Sequence, residues 1–200
     1  MNNQTKKPLA VLFDLDGVLL DSEGQYSIFW GSMDEKYPTG IPNFADEEVR
    51  QAILKQLEDF ELHMKFDFFP GALEFVRQLR DAGIPMAIVT SSDHKKMQTL
   101  FTQYPEFPTL FDKIITGDMV TKAKPDPECF LLGAQQLGID IHDCVVFEDS
   151  RNGLLAGRAS GARVIGITTT LPAEVVSPLC DLMASAVGEL TVEALGFKQA

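Results

Sequence analysis

The stretch that decides the fold is residues 9–17, which read LAVLFDLDG. The first five residues form an unbroken apolar run, and two aspartates and a glycine lie in the four positions that follow. A continuous apolar run of this length is typical of a strand buried on both faces of a parallel sheet. Residues 9–13 are therefore predicted to be the first strand of such a sheet, with polar residues at its carboxyl end.

Outward from this stretch, short apolar runs alternate with helical patterns. The predicted later strands are 85–89, 113–116, 144–147 and 163–167, with a short last strand at 182–184. The predicted helices are 72–82, one from about residue 93, 127–137, 151–160 and 191–195. Such alternation predicts an α/β fold, a Rossmann-like parallel sheet with helices on both faces.

Residues 22–70 interrupt this alternation with two helical stripes. The apolar residues of the stripes are Tyr26, Phe29, Trp30 and Met33, then Val49, Ile53, Leu57, Phe60 and Met64. Asp46 is placed to start the second helix, and Pro38, Gly40 and Pro42 separate the two. The sequence therefore predicts a small all-helical insertion at 22–70, with 1–21 and 71–200 forming the core.

The composition excludes several classes of protein. A net charge of −12 argues against nucleic acid or an anionic membrane as the main partner and favours a soluble monomer. We find no signal peptide and no apolar run long enough to span a membrane. Three cysteines at irregular spacing fit neither a zinc site nor a disulfide framework, which suits a reducing compartment. We expect a cytoplasmic protein.

Polar side chains follow four of the predicted strands. They are Asp14, Asp16 and Gly17, then Thr90, Ser91 and Ser92, then Lys122 and Lys124, then Glu148, Asp149 and Ser150. Ligands of open parallel sheets bind beyond the carboxyl ends of the strands, so these residues are expected at one edge. Residues 168–170 follow the fifth strand and form a less specific pattern.

Each group also has a purely local interpretation. Asp and Gly form turns, Ser, Thr and Asp cap helices, and a lysine before proline is commonly a surface residue. Taken together, however, clustered carboxylates require a cation. Oxygen ligands without a usable His or Cys favour Mg²⁺ over zinc. A lysine and hydroxyls beside such an ion suit a phosphoryl group.

These residues match the motifs of a known family. Residues 13–23, FDLDGVLLDSE, resemble the first signature of the haloacid dehalogenase-like superfamily, in its branch of β-phosphoglucomutase-like phosphatases. Residues 89–92 (VTSS), 124–127 (KPDP) and 146–153 (VFEDSRNG) are similar to the second, third and fourth motifs, in the same order.

The resemblance implies a role for each matched residue. Asp14 would be the nucleophile that forms an aspartyl-phosphate, and Asp16 the general acid and then the base. Thr90, with the backbone N–H of Ser91, would hold a phosphoryl oxygen, and Lys124 would neutralise charge on the phosphoryl group and the nucleophile.

The resemblance also implies a metal site and a cap. Mg²⁺ would be held by Asp14, the backbone carbonyl of Asp16, Asp149 and Glu148, the last directly or through water. The insertion at 22–70 would be a mobile cap that closes over the site. We expect substrate contacts from Gly17, Glu23 and Tyr26 and from the 38–44 loop.

The chain departs from the mutases of this branch. Tyr26 stands where those mutases carry a cap-hinge histidine, and no arginine-bearing cap segment for a second phosphate is found. Lys36 and Arg50 are the nearest basic residues, and both are expected at the surface. The sequence therefore favours a Mg²⁺-dependent phosphatase of a small phosphorylated metabolite, such as a sugar phosphate.

Three alternatives remain open. The first two are a hexose phosphate mutase and an inorganic pyrophosphatase. The third is a non-catalytic phosphate-binding module, because a fold alone does not establish activity. A dehalogenase is disfavoured because displacement of a halide needs no acid at the position of Asp16.

Overall fold

A computed structural model describes residues 9–36 and 46–196. Its centre is a six-stranded sheet in which every pair of neighbouring strands is parallel, in the order β3-β2-β1-β4-β5-β6. The strands are β1 (Ala10–Phe13), β2 (Met86–Val89), β3 (Lys113–Ile115), β4 (Cys144–Glu148), β5 (Arg163–Ile167) and β6 (Leu182–Ala184). The predicted α/β fold is confirmed, including the short sixth strand.

Seven α-helices are found within the described residues. They are α1 (Glu23–Lys36), α2 (Glu47–His63), α3 (Ala72–Asp81), α4 (His94–Gln103), α5 (Glu128–Leu137), α6 (Arg151–Ser160) and α7 (Ala173–Val176). The helix predicted at 191–195 is reduced to a single 3-10 turn, Glu193–Leu195, which ends at Gly196 in a left-handed conformation. None of these helices is long and apolar enough to cross a membrane.

The two faces of the sheet bury two separate apolar cores. On β1, Val11 and Phe13 pack with residues of α3 and α4, whereas Ala10 and Leu12 pack with residues of α5 and α6. All four side chains are fully buried. Successive side chains of β1 therefore point to opposite faces of the sheet, and each face is covered by helices. This confirms the predicted helices on both faces.

The cap consists of α1 and α2, which pack on each other. Phe29, Met33 and Ile53 are buried between them, and the rings of Phe29 and Phe60 stack with centroids 5.0 Å apart. The predicted apolar stripes thus pack the two helices together. Met64 departs from its stripe, because it lies just beyond α2 and packs into the core beneath the sheet.

Two neighbouring segments connect the cap to the core. The N–H of Asp21 donates to the carbonyl of Asp67, and the N–H of Phe69 donates to the carbonyl of Leu19. These bonds anchor the cap beside the end of β1. The cap boundaries at residues 22 and 70 stay a prediction, and the 38–44 loop lies outside the described residues.

The cysteines belong to the packing of the core. Cys129 and Cys144 are buried, Cys180 is half-buried, and all three are free thiols. Burial raises the pKa of Cys144 to about 12. A thiol this weakly acidic supplies almost no thiolate at neutral pH, which fits a structural role for Cys144.

Candidate active site

The site lies where the strand order reverses. β1 and β4 are adjacent at the centre of the sheet, and Phe13 pairs in register with Phe147. The chain continues from β1 toward β2 on one side, and from β4 toward β5 on the other. Asp14 and Glu148, each next along its strand, therefore meet at the switch point, where ligands bind in sheets of this order.

Lys124 joins these two carboxylates. Its Nζ donates to Asp14 Oδ1 at 2.5 Å, to Glu148 Oε1 at 2.6 Å and to the carbonyl of Val89 at 3.2 Å. Its side chain is only 7% exposed. Burial opposes the charged form, but the two carboxylates outweigh burial and raise the pKa of Lys124. The ammonium is therefore charged at any physiological pH.

The start of α6 fixes Glu148. Its Oε2 accepts hydrogen bonds of 3.0 Å from the N–H of Asp149, the N–H of Ser150 and the hydroxyl of Ser150. A Cβ at Gly153 would overlap this carboxylate, so glycine is required there. Ser150 also caps α6, as its local interpretation allowed. Glu148 is thus a rigid, fully buried anion that orients Lys124.

The donor set fits a divalent cation. One oxygen from each of Asp14, Glu148 and Asp149 lies within 4.8 Å of the others. Asp149 is 2% exposed, and its Oδ1 has no hydrogen-bond partner within the part of the chain that the structure describes. A buried carboxylate oxygen without a partner is costly, and a hard cation bound by oxygens would supply one.

The raised pKa values of Asp14 and Asp149 agree with a cation at this position. Burial raises the pKa of Asp14 well above its ordinary value, and the charges of Glu148 and Asp149 add to the effect against the opposing charge of Lys124. Burial and the charge of Glu148 likewise raise the pKa of Asp149 to about 7. Both shifts come first from burial and then from neighbouring carboxylates, and a cation such as Mg²⁺ would favour the ionised forms.

Asp16 lies in a different environment. Its Oδ1 accepts a hydrogen bond from Ser22 at 2.6 Å, and its Oδ2 accepts bonds from Ser92 at 2.9 Å and Lys96 at 2.6 Å. Partial burial opposes ionisation, but Lys96 and the hydroxyls outweigh it and lower the pKa of Asp16. In this arrangement Asp16 is a carboxylate.

Gly17 allows two functional segments to approach each other. Its φ of 81° is left-handed, and a Cβ there would overlap the carboxylate of Asp149. Its N–H donates to the carbonyl of Leu20, and its carbonyl accepts from the hydroxyl of Thr169. The residues after β5 thus contribute more than their sequence pattern indicated. A substrate contact by Gly17 stays a prediction.

A cavity of about 170 Å³ gathers most of the predicted site. Its lining residues are Asp14, Asp16, Glu23, Thr90, Ser91, Lys124, Asp149 and Ser150. Thr90 Oγ1 accepts from the N–H of Ser92 at 3.0 Å, so its hydroxyl proton remains for a ligand. Tyr26 is not in the lining. A larger cavity of about 640 Å³ beside Tyr104 and Phe107 contains none of these residues.

Sequence reasoning missed the contacts of Asp16. Ser92 was expected at this edge without a role, and neither Ser22 nor Lys96 was among the predicted site residues. One signal was available, because Lys95 and Lys96 stand in the first turn of α4, where the helix dipole disfavours cations. A lysine in such a position calls for a carboxylate partner.

Comparisons with known proteins agree with this geometry. The family described as haloacid dehalogenase-like hydrolase matches residues 24–161. Hexitol phosphatase A of Escherichia coli is 30% identical over 210 residues, covering 90% of this chain and 92% of that protein. The bifunctional riboflavin kinase/FMN phosphatase of Arabidopsis thaliana is 30% identical over 217 residues. The match covers 91% of this chain but only 56% of the length of that protein.

A solved structure extends the comparison to the branch. A β-phosphoglucomutase homologue from Bacteroides vulgatus superposes with a TM-score of 0.82 at 25% identity, covering 98% of this chain and 93% of that one. The resemblance drawn from the four motifs is thereby confirmed. The chain belongs to the haloacid dehalogenase-like hydrolases, in their β-phosphoglucomutase-like branch, and is a phosphoric monoester hydrolase.

Proposed function

We propose that this protein is a Mg²⁺-dependent phosphatase of a small phosphorylated metabolite, which acts through an aspartyl-phosphate. The observation that carries the proposal is the pairing of Asp14 with Lys124, beside the partnerless Oδ1 of Asp149, at one cavity. A nucleophile, a fixed cation and an open ligand position are the parts that phosphoryl transfer requires.

Asp14 is the proposed nucleophile. Lys124 binds its Oδ1, which leaves Oδ2 to attack phosphorus. The new bond joins Oδ2 to phosphorus, and the bond between phosphorus and the leaving oxygen breaks. Thr90 and the N–H of Ser91 would hold the phosphoryl oxygens, and Lys124 would balance their charge. Water then attacks phosphorus and regenerates Asp14.

Asp16 is the proposed proton carrier between these two steps. It donates a proton to the leaving oxygen and later accepts one from the attacking water. The carboxylate held by Ser22, Ser92 and Lys96 is the form that accepts a proton. To act as the acid in the first step, Asp16 must first gain a proton.

The proposed Mg²⁺ site consists of Asp14, Asp149 and the backbone carbonyl of Asp16, with Glu148 direct or through water. The ion would neutralise charge, so that Asp14 and a phosphate could approach each other. Gly17 is needed at this site because it leaves room for the Asp149 carboxylate.

The lining of the cavity favours hydrolysis over mutase activity. Lys124 is the single cation among the lining residues, and the cap contributes Glu23, an acid. A bisphosphate intermediate or pyrophosphate would bring a second phosphate toward Glu23. We therefore propose a leaving group with hydroxyls and no second phosphate, in line with a hexitol phosphatase among the relatives.

Release of inorganic phosphate from a panel of esters tests the proposal. The panel includes sugar phosphates, nucleotides, pyrophosphate and p-nitrophenyl phosphate, each with Mg²⁺ and with EDTA. We expect Mg²⁺-dependent release that Asp14→Asn abolishes, whereas Asp81→Asn, an exposed control on α3, leaves it unchanged. No release with any ester would contradict the proposal.

The same panel distinguishes the alternatives. Conversion of glucose 1-phosphate with a bisphosphate primer would identify a mutase, and release from pyrophosphate alone a pyrophosphatase. Mg²⁺ binding without turnover would identify a phosphate-binding module. Cytoplasmic location, a monomeric state and the absence of nucleic-acid or membrane partners stay predictions.

A further inference from the structure

Lys96 is a buried cation that the proposed mechanism does not use as a catalytic group. Its side chain is 2% exposed, and its Nζ lies 2.6 Å from Asp16 Oδ2. Removing an ammonium from water is costly unless a partner compensates for it. Among residues 9–36 and 46–196, Asp16 is the one carboxylate that forms an ion pair with Lys96, across 80 positions of sequence.

Local structure fixes the position of Lys96. The N–H of Lys96 donates to the side chain of Asp93, which caps α4, at 2.9 Å. Ser92, one residue before that cap, donates to the same oxygen of Asp16 as Lys96 does. The segment after β2 thus supplies Thr90 to the cavity and two donors to Asp16.

Lys96 also contacts the cap. Its Nζ lies 4.9 Å from the centre of the Tyr26 ring on α1, and the Tyr26 hydroxyl donates to Glu61 on α2 at 2.7 Å. Lys96 is therefore enclosed between Asp16 and an aromatic ring of the cap, whose quadrupole favours a cation. Tyr26 therefore packs against Lys96 and does not line the cavity.

Formal charge gives an independent reason for a second lysine. Four carboxylates of the core meet at the site, those of Asp14, Asp16, Glu148 and Asp149, beside Glu23 of the cap. Lys124 and a divalent cation would offset three of the four core charges, and Lys96 offsets the fourth. A core without excess negative charge receives a phosphate dianion more readily than a core that carries it.

We propose that Lys96 is a positioning residue for phosphoryl transfer, which, together with Ser92, holds the carboxylate of Asp16 at the cavity and balances its charge. The inference rests on the proposed function, in which Asp16 carries the proton. Its consequence is selective, because loss of Lys96 harms the step that needs a correctly placed Asp16 and spares the binding of phosphate.

Lys96→Met tests this role, since Met has a similar length and no charge. The first phosphoryl transfer is measured in single turnovers, with an alkyl phosphate and with p-nitrophenyl phosphate, whose leaving group needs little help from an acid. We expect a loss of about 10- to 100-fold in rate with the alkyl ester, a much smaller loss with the aryl ester, and similar substrate affinities.

Lys95→Met is the matched control. Lys95 is the neighbouring lysine on α4, is exposed and pairs with Glu58 of the cap. Its replacement should leave both rates unchanged. Equal losses with the two esters in Lys96→Met would overturn the inference, because a purely structural role would not distinguish leaving groups.

An Asp16→Asn background provides the second arm. If Lys96 acts through Asp16, adding Lys96→Met to Asp16→Asn should cause no further loss in single turnovers of the alkyl phosphate, the ester on which Lys96→Met alone has its large effect. The double variant also removes both buried charges, so it should fold even if Lys96→Met alone does not. A full loss in this background would overturn the inference. An inactive wild type would overturn the proposed function and the inference together.

Discussion

The carboxylate of Asp149 occupies the space in which a side chain at Gly17 would lie. The two residues come from the ends of different strands, β4 and β1, and meet at the switch point of the sheet. Gly17 has a φ of 81°, so it also supplies a backbone conformation that other residues rarely adopt. The proposed metal site therefore depends on the absence of a side chain at residue 17.

Gly17→Ala should abolish Mg²⁺-dependent stabilisation and turnover. A Cβ there must displace the carboxylate of Asp149, and the left-handed conformation adds a cost of about 1–3 kcal/mol. Thermal unfolding with and without Mg²⁺ measures both effects.

Gly138→Ala is the matched control for Gly17→Ala, because Gly138 has a φ of 72° with no atom within 4 Å of the added Cβ. It should lose stability but keep the Mg²⁺ response. Equal Mg²⁺ responses in the two variants would contradict the assignment.

Lys124→Met should remove activity and destabilise the fold. It leaves Asp14 and Glu148 as buried carboxylates without their shared cation, and breaking a buried ion pair costs about 3–5 kcal/mol. Denaturant unfolding measures this loss, and saturating Mg²⁺ should restore part of it. Lys122→Met, in the same loop, is the control, since the Lys122 side chain is 69% exposed. A stability change below 1 kcal/mol in Lys124→Met would show that the pair does not carry this charge balance.

The fold was largely predictable because its strands are buried on both faces. Such strands appear as continuous apolar runs, and β1 and β4 are fully buried at every position. The prediction of a helix at 191–195 was less accurate because the apolar pattern there is short. The structure has one 3-10 turn, Glu193–Leu195, which ends at Gly196.

The site was predictable only where a motif marks it. Asp14 and Lys124 lie in motifs, although 110 positions separate them, and the structure pairs them. Lys96 lies in an ordinary amphipathic helix, and only tertiary packing brings it to Asp16. A buried lysine looks like a surface lysine in a sequence, except for its unfavourable place at the start of α4.

Binding of Mg²⁺ should weaken as the pH falls. The pKa of Asp149 is raised to about 7, and a proton must leave this carboxylate before a metal binds. At pH 8 Asp149 is ionised and free to bind, whereas at pH 6 protons occupy about nine in ten molecules, so affinity should fall about tenfold. Titration calorimetry at the two pH values measures the difference and the protons released. Equal affinities without proton release would show that no protonated carboxyl group gives up its proton when the metal binds in this pH range.

Without Mg²⁺, the same shift predicts the reverse trend in stability. A carboxyl group whose pKa is raised on folding binds more protons in the native state than in the unfolded state. Its ionisation therefore lowers the free energy of unfolding as the pH rises from about 4 toward 7. Asp149→Asn should flatten this part of the pH profile in EDTA. An unchanged profile would place the titrating group elsewhere.

Glu23→Gln should alter substrate affinity without altering the chemical step. Glu23 is the one cap residue in the lining of the cavity, and its carboxylate can accept hydrogen bonds from hydroxyls of a leaving group. We expect KM for a polyol or sugar phosphate to rise about three- to tenfold, because Gln keeps an acceptor oxygen but loses the charge that strengthens the hydrogen bond, with kcat nearly unchanged. Hydrolysis of p-nitrophenyl phosphate, which offers no hydroxyl, should keep its KM. Glu35→Gln, an exposed change on the same helix, is the control.

The opposite pattern would contradict recognition of hydroxyls by Glu23. If Glu23→Gln lowers KM for bisphosphates and pyrophosphate but leaves KM for sugar phosphates unchanged, then Glu23 acts only by excluding a second phosphate.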